Sequence, residues 1–289
     1  MLYGAIETGG TKMVCAIGNE HGEILEQISI PTTTPEETMP LVTGWFKDKD
    51  IQAVGIASFG PVDLNRNSKT YGYITSTPKP GWGFFDLVGT VQKELHVPVG
   101  FDTDVNGSLL GEMTYGCARG LTDAVYLTIG TGIGAGIMTN GKLLHGMLHP
   151  EAGHIPMAVH KDDTYTGKCP YHKTCFEGMA AGPAIEERWG QPGKKLRDRK
   201  EVWELEAYYI AQALTSYIMI LSPQKIILGG GVMHQEALFP LIRKNVAEML
   251  NGYLRTKELE DLDSYIVPAS LNDDQGIMGC IKLAIDAAA

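Results

Sequence analysis

Asp102 and Asp104 stand two residues apart in the run Phe101-Asp102-Thr103-Asp104-Val105-Asn106, where a short apolar strand gives way to a helix expected over Gly107 to Met113. Carboxylates at the carboxyl end of a strand, beside a helix N-terminus, either cap the helix or work on a ligand. One cap needs only one of them, so the other is available as a general base or a ligand-binding group.

His154, Cys169, His172 and Cys175 form a second constellation, His-x14-Cys-x2-His-x2-Cys, in a loop-rich stretch with little apolar content of its own. Four nitrogen and sulfur donors suit a tetrahedral structural zinc ion, and five cysteines in all fit a metal better than a disulfide framework. The order differs from common finger spacings, so free thiols are the alternative. Glu151 and Glu177 bracket the cluster, and a metal there would position both carboxylates.

Glycine supplies the third signal. Gly9-Gly10-Thr11-Lys12 lies between two strands, where glycine lets backbone N–H groups approach a phosphate. Taken alone it is equally a hairpin turn, and it lacks the Gly-Lys-Ser/Thr entry into a helix that a Walker loop needs. Gly130-Thr131-Gly132-Ile133-Gly134-Ala135-Gly136 has nearly the spacing of a dinucleotide fingerprint, but a strand and an Asn140-Gly141 turn follow it, which excludes that reading. With a third cluster at Gly229-Gly230-Gly231, the pattern suggests a nucleotide held by glycine turns in two lobes.

Elements must position these groups. Strands are expected over Leu2 to Glu7, Met13 to Gly18 and Ile24 to Ile30, and the same meander recurs over Ala124 to Ile129, Ile133 to Thr139 and Lys142 to Leu144. Further strands are expected at Ala53 to Ser58, Pro98 to Phe101 and Ile226 to Leu228. Helical spacing marks Pro35 to Lys47, Glu201 to Leu221, Leu238 to Leu250 and Ile277 to Ala287. Asp63 to Trp82 reads as a long surface excursion. The whole is an α/β chain with a duplicated unit: an N-terminal lobe over 1–115, completed by a terminal helix over 275–289, and a larger lobe over 116–274 with a metal-binding insert at 150–178.

Composition narrows the partners. A formal charge of −10 argues against nucleic acid or an anionic membrane, whereas a small phosphate ligand needs only local backbone donors. With 35 glycines in 289 residues, the chain exceeds the usual ~7% and needs many turns or close approaches. No basic leader or apolar span of membrane length is evident, so a cytoplasmic protein is expected.

Glu7-Thr8-Gly9-Gly10-Thr11-Lys12, the Asp102 to Asn106 run, Leu127-Thr128-Ile129-Gly130-Thr131-Gly132, His149-Pro150-Glu151-Ala152-Gly153-His154 and the Cys/His cluster together resemble the ROK family of bacterial sugar kinases and repressors. The resemblance runs from Ile6 to Gly279. Ser58-Phe59-Gly60-Pro61-Val62-Asp63, Thr77-Pro78-Lys79-Pro80-Gly81-Trp82 and Cys169-Pro170-Tyr171-His172 are most similar to its fructokinase branch.

That resemblance implies an actin-like, ribonuclease-H-like pair of lobes closing around sugar and MgATP, and a homodimer. It implies Asp104 as the base, and Gly60, Pro61, Gly81, Trp82, Thr103, Glu151, His154 and Glu177 as sugar-binding residues, His154 being also a zinc ligand. Thr131, Pro183 and the Gly229-Gly230-Gly231-Val232-Met233 turn match nucleotide contacts. The expected reaction is ATP-dependent phosphorylation of fructose, with mannose, glucose or N-acetylmannosamine as alternative substrates. Glu7 stands where Asp is usual, which bears on Mg²⁺, and Thr103 stands where Asn is frequent. A sugar-sensing repressor on this scaffold would carry a helix-turn-helix where a strand is expected here, and a non-catalytic sugar-binding protein would not need Asp104 and three glycine turns.

Overall fold

The computed structural model describes residues 1–289, which fall into two compact units. Unit 1 comprises Met1–Gly120, Leu143–Pro150 and Ser270–Ala289, and unit 2 comprises Leu121–Lys142 and Glu151–Ala269. The short segment Leu143–Pro150 therefore belongs with unit 1, although it lies inside the stretch expected to form the second lobe.

In unit 1, strands β1 (Tyr3–Thr8), β2 (Lys12–Gly18), β3 (Ile24–Pro31), β4 (Val54–Ser58) and β7 (Val99–Thr103) form one sheet in the order β3-β2-β1-β4-β7. β1 to β3 make the antiparallel meander, while β4 and β7 run parallel to β1. Parallel neighbours need crossovers, and helices α1 (Pro35–Phe46) and α2 (Leu87–Leu95) supply them. β4 is buried throughout because helices cover both faces, whereas edge strand β3 buries only Ile30. A two-stranded ribbon of β5 (Tyr73–Ile74) and β6 (Phe85–Asp86) orders part of the expected surface excursion. α2 went unrecognised in the sequence although its signals are local. Asp86 caps it by accepting from the Gly89 N–H, and His96 ends it at φ 56°.

Helix α3 (Asp104–Thr114) begins at Asp104, three residues before the expected start. Thr103 is its cap, accepting the Asn106 N–H at 3.1 Å. The cap residue is thus neither aspartate. The C-terminal helix α10 (Gln275–Ala288) packs between α3 and β4 at backbone distance. A Cβ on Gly279 would lie 1.8 Å from the Gly107 carbonyl oxygen, one on Gly111 would lie 2.2 Å from that of Gln275, and one on Gly55 would lie 1.8 Å from that of Cys280. Opposite this face of the sheet, Ile6, Met13, Ile56, Val42, Phe46 and Val91 join the main core.

Unit 2 repeats the design. Strands β8 (Ala124–Ile129), β9 (Ile133–Thr139), β10 (Lys142–Leu143), β11 (Lys225–Gly229) and β12 (Ile266–Pro268) are ordered β10-β9-β8-β11-β12, with β11 parallel to both β8 and β12. Helices α4 (Phe176–Ala180) and α5 (Gly182–Trp189) follow the Cys/His loop. The 22-residue α6 (Lys200–Leu221) buries Val202, Tyr209, Ala213 and Tyr217, and α7 (Leu238–Leu250) packs against it. Two four-residue helices, α8 (Lys257–Glu260) and α9 (Leu262–Tyr265), precede β12. No helix is long and apolar enough to cross a membrane.

The close seating of α10 is testable by overpacking. Gly279→Ala should destabilise the fold by about 1–3 kcal/mol, seen as a lower urea midpoint at constant m-value. Gly44→Ala, in a helical position where a Cβ meets nothing within 4 Å, should instead stabilise by about 0.5–1 kcal/mol. Equal effects of the two changes would show that α10 tolerates displacement.

Candidate active site and metal cluster

The turn from β7 into α3 is held by the Asp102 carboxylate, which is 3% exposed. Its Oδ1 accepts the Thr103 N–H at 2.8 Å and Asn106 Nδ2 at 2.7 Å, and its Oδ2 lies 2.9 Å from Nε2 of His145. The hydrogen bond to Asp102 is the main influence raising the His145 pKa above its usual 6.5. Asp104 occupies the first position of α3 and is less buried, with Oδ1 accepting the Val105 N–H at 2.9 Å. Of the two neighbouring aspartates, one is a buried clamp and the other is half-buried. His145 was missed in the sequence because its partner lies 43 residues away and nothing local marks it. His149 was likewise missed as a side chain: its Nε2 lies 3.4 Å from the Val62 N–H, behind the Gly60-Pro61 turn.

The loop expected to bind sugar divides in two. Trp82 is fully buried, its indole N–H donating to the Thr33 carbonyl at 2.7 Å and its ring meeting Phe59 and Phe85 edge-on. It anchors the loop, with its one polar side-chain atom already paired to a backbone carbonyl. Gly81, at φ 81°, turns the chain into it beside Pro35, where Cβ would meet Cδ at 3.0 Å. Thr103 is also 3% exposed, and its hydroxyl oxygen accepts the cap hydrogen bond from the Asn106 N–H.

Between β1 and β2, the Gly9 N–H donates to the Lys12 carbonyl at 2.9 Å, closing the turn. Glu7 lies below this turn, against the start of α10, where a Cβ on Gly276 would meet its Oε1 at 2.2 Å. Burial, then the nearby Asp104 charge, pushes its carboxyl up to about 7, against the lowering effect of Lys12.

Unit 2 builds the matching turn between β8 and β9, closed by the Gly130 N–H on the Gly132 carbonyl at 2.9 Å. Glu177, on α4, accepts the Ile133 N–H through Oε2 at 3.0 Å, and its Oε1 lies 4.0 Å from His154 Nε2. The other ring nitrogen of His154 faces the sulfurs, with Nδ1 at 3.5 Å from Cys175 Sγ and 3.8 Å from Cys169 Sγ. His172 Nδ1 lies 3.7 Å from Cys169 Sγ. The four donor atoms lie within 4.8 Å of one another, and these separations are near the ~3.5 Å edge of a tetrahedron with bonds of 2.0–2.3 Å. Three of the four residues lie on the loop that ends at α4, and Cys175 caps that helix through the Gly178 N–H. The cluster thus fixes Glu177 from one side and His154 from the other. Glu151 stands at the head of the short turn carrying His154, whose N–H donates to the Glu151 carbonyl at 3.0 Å.

Beside the second glycine turn, unit 2 contains a cavity of about 850 Å³ lined by Gly130, Thr131, Pro183, Lys194, Arg197 and Gly231, with Val232 and Gln235 among the remaining walls. That volume suits a nucleotide-sized ligand. Of the residues expected to hold the cofactor, Gly9, Gly10, Thr11 and Lys12 of unit 1 and Gly132, Gly229, Gly230 and Met233 of unit 2 are not in its lining; Gly229 and Met233 are buried, and Gly230 makes the φ 88° turn. Lys194, Arg197 and Trp203 went unforeseen, since neither the stretch before α6 nor the first turn of that helix carries a glycine motif.

Two sheets of identical strand order, each with a Gly-Thr turn after its first strand, define the duplicated actin-like, ribonuclease-H-like ATPase fold. A carboxylate at a strand-to-helix turn, with phosphate-sized glycine turns, defines within it a class that transfers phosphoryl groups to small hydroxyl compounds. The chain belongs to the ROK family, whose profile matches residues 3–287. It is 54% identical over 284 residues to a Bacillus subtilis (strain 168) protein, covering 98% of this chain and 95% of that one. It is 47% identical over 284 residues to the fructokinase of Pediococcus pentosaceus, covering 98% of each. The ROK hexokinase from Thermus thermophilus has the same fold, with a TM-score of 0.81 at 23% identity over 99% of this chain and 98% of that one.

Two groups of unit 1 give stability a pH dependence with separable windows. Glu7 has a folded pKa near 7 against 4.5 unfolded, so between these values the folded state holds a proton that the unfolded chain has lost. Stability therefore falls as pH rises from about 4.5 to 7, by on the order of 2–3 kcal/mol. The His145 pair is fully stabilising below 6.5 and is lost as pH rises through the raised folded value. Urea midpoints from pH 4.5 to 9 should show Glu7→Gln flattening the lower window and His145→Gln flattening the upper one. A Glu7→Gln profile parallel to wild type would contradict the assignment.

Proposed function

We infer that the chain is an ATP-dependent fructokinase, converting D-fructose and MgATP to fructose 6-phosphate and ADP. The observation that carries this reading is the likeness, over 98% of both chains, to a fructokinase at 47% identity. Phosphoryl transfer passes through a loose transition state, so positioning and charge neutralisation outweigh strong base catalysis. Asp104 orients the primary hydroxyl of the sugar and accepts its proton as the new P–O bond forms. Its exposure relative to the clamped Asp102 supports giving it that role. Glu151, His154 and Glu177 bind sugar hydroxyls, while Thr131, Pro183 and Gly231 border the nucleotide.

The Cys/His cluster holds Zn²⁺ through His154 Nδ1, Cys169, His172 and Cys175. When bound, the ion supplies a structural crosslink and takes no part in the transfer. His154 keeps Nε2 on the side of Glu177, which suits it to a sugar hydroxyl. We place the enzyme in the cytoplasm as a homodimer, with sugar and nucleotide as its partners.

A panel of hexoses coupled to ADP release tests the substrate. Fructose should give the highest kcat/KM, mannose should come second, and phosphorus NMR should locate the phosphate on carbon 6. A higher value for glucose or N-acetylmannosamine would reassign the sugar within the family. Asp104→Asn should lower kcat by about 10²-fold or more with a much smaller change in sugar KM, and Asp102→Asn should cost less activity and more stability. Reversal of that order would give the base to Asp102.

Elemental analysis should find one zinc per chain. Cys175→Ser should lower both thermal stability and fructose affinity while sparing nucleotide binding, because the cavity lining includes none of the cluster residues. Full activity in exhaustively chelated, metal-free protein would remove zinc from the account.

A further inference from the structure

Lys79 lies in the loop that Trp82 anchors, and none of the roles above uses it. Its Nζ donates to the carbonyl oxygen of Gly10, at the tip of the turn between β1 and β2. No carboxylate pairs with it. A surface lysine ordinarily stays in water on a mobile stem, so a lysine laid across to a backbone carbonyl needs a reason.

Its base is built into the same wall as the glycine turn. The Trp82 N–H donates to the Lys79 carbonyl at 3.2 Å, and the buried Trp82 indole donates to Thr33 at 2.7 Å. Next to Thr33, Thr32 bonds both sides of the turn: its N–H donates to the Thr11 carbonyl and its hydroxyl to the Gly9 carbonyl, each at 2.9 Å. A short run of hydrogen bonds therefore fixes the lysine's backbone relative to the turn that its side chain touches.

The carbonyl orients the ammonium without neutralising it, and two of its three protons remain for another acceptor. The tip itself is open, since a Cβ on Gly10 would meet nothing within 4 Å. A ligand that approaches a glycine turn closely, needs backbone donors and carries the charge to satisfy an adjacent ammonium is a phosphoryl group. Lys12, the other cation here, starts β2 and acts electrostatically on Glu7.

We propose that Lys79 binds the terminal phosphoryl group of the nucleoside triphosphate and stabilises its transfer, a role that rests on the kinase reading above. In the transfer, the bond between the γ-phosphorus and the β–γ bridging oxygen breaks and a bond from the sugar oxygen forms. The hydroxyl proton passes to the Asp104 carboxylate, ADP carries away the bridging oxygen, and Lys79 keeps all its protons while neutralising charge on the moving group.

Lys79→Met and Lys79→Arg test this with the full-length protein. Calorimetry with ADP and with a non-hydrolysable ATP analogue gives the binding split, and coupled assays at saturating sugar give kcat. Lys79→Met should lower kcat about 10²-fold and weaken the analogue at least tenfold, with ADP affinity within about threefold of wild type. Arginine should recover part of kcat, and the melting temperature and fructose KM should hardly move. Unchanged kcat, or equal weakening of both nucleotides together with lower melting and a raised fructose KM, would overturn the proposal and leave Lys79 as a loop tether. A wild-type enzyme that prefers another hexose would refute only the fructose assignment, because the same lysine comparison then runs on that hexose.

Discussion

A buried carboxylate with three kinds of donor around it organises unit 1. Asp102 gathers a backbone N–H from Thr103, an amide from Asn106 and the imidazole of His145, and so fixes where β7 ends and α3 begins. A buried charge left without such donors would cost several kcal/mol, so the turn has few alternative conformations. Asp104 inherits its position from this clamp. Thr103 rather than either aspartate satisfies the helix cap.

Glycine makes the remaining geometry accessible in a different sense from the turns where it is usually noticed. α10 can lie against both α3 and β4 only because Gly55, Gly107, Gly111 and Gly279 leave backbone facing backbone. Helix α3 is thereby supported along its length by a segment that the chain adds last. The two glycine turns, although duplicated, have diverged in their supports. The first is flanked by Lys12, Glu7 and Lys79, whereas the second is held by Glu177, which ties it to the Cys/His cluster.

Much of this was legible in the sequence wherever the signal was local. Both meanders follow from alternating apolar strands and Gly or Asn-Gly turns, and β8, β9 and α7 end where the pattern ends. The Cys/His cluster was recognisable because three of its four residues fall within seven positions. The start of α3 was misjudged, since two aspartates and a threonine compete as caps and only the strand's register decides among them. His145, Lys79, Lys194 and Arg197 were not identified as site residues. Their significance depends on partners brought close by the fold, and a lone histidine or lysine in a sequence is more often plain surface.

Trp82 and Thr103 show the converse. Both sit in motifs expected from the sequence to bind sugar, yet both are buried, the Trp82 indole N–H donating to the Thr33 carbonyl and the Thr103 hydroxyl oxygen accepting the Asn106 N–H. A buried indole N–H needs an acceptor, and once Thr33 provides it the ring has no polar group to offer a ligand. Their identities are constrained by the segments they hold, Trp82 by the loop over the first glycine turn and Thr103 by the helix that carries Asp104. What these two residues do in the structure is position their neighbours, Trp82 the loop that carries Gly81 and Lys79, and Thr103 the start of α3. A motif shared with a fructokinase can therefore encode the placement of a neighbour as readily as a contact.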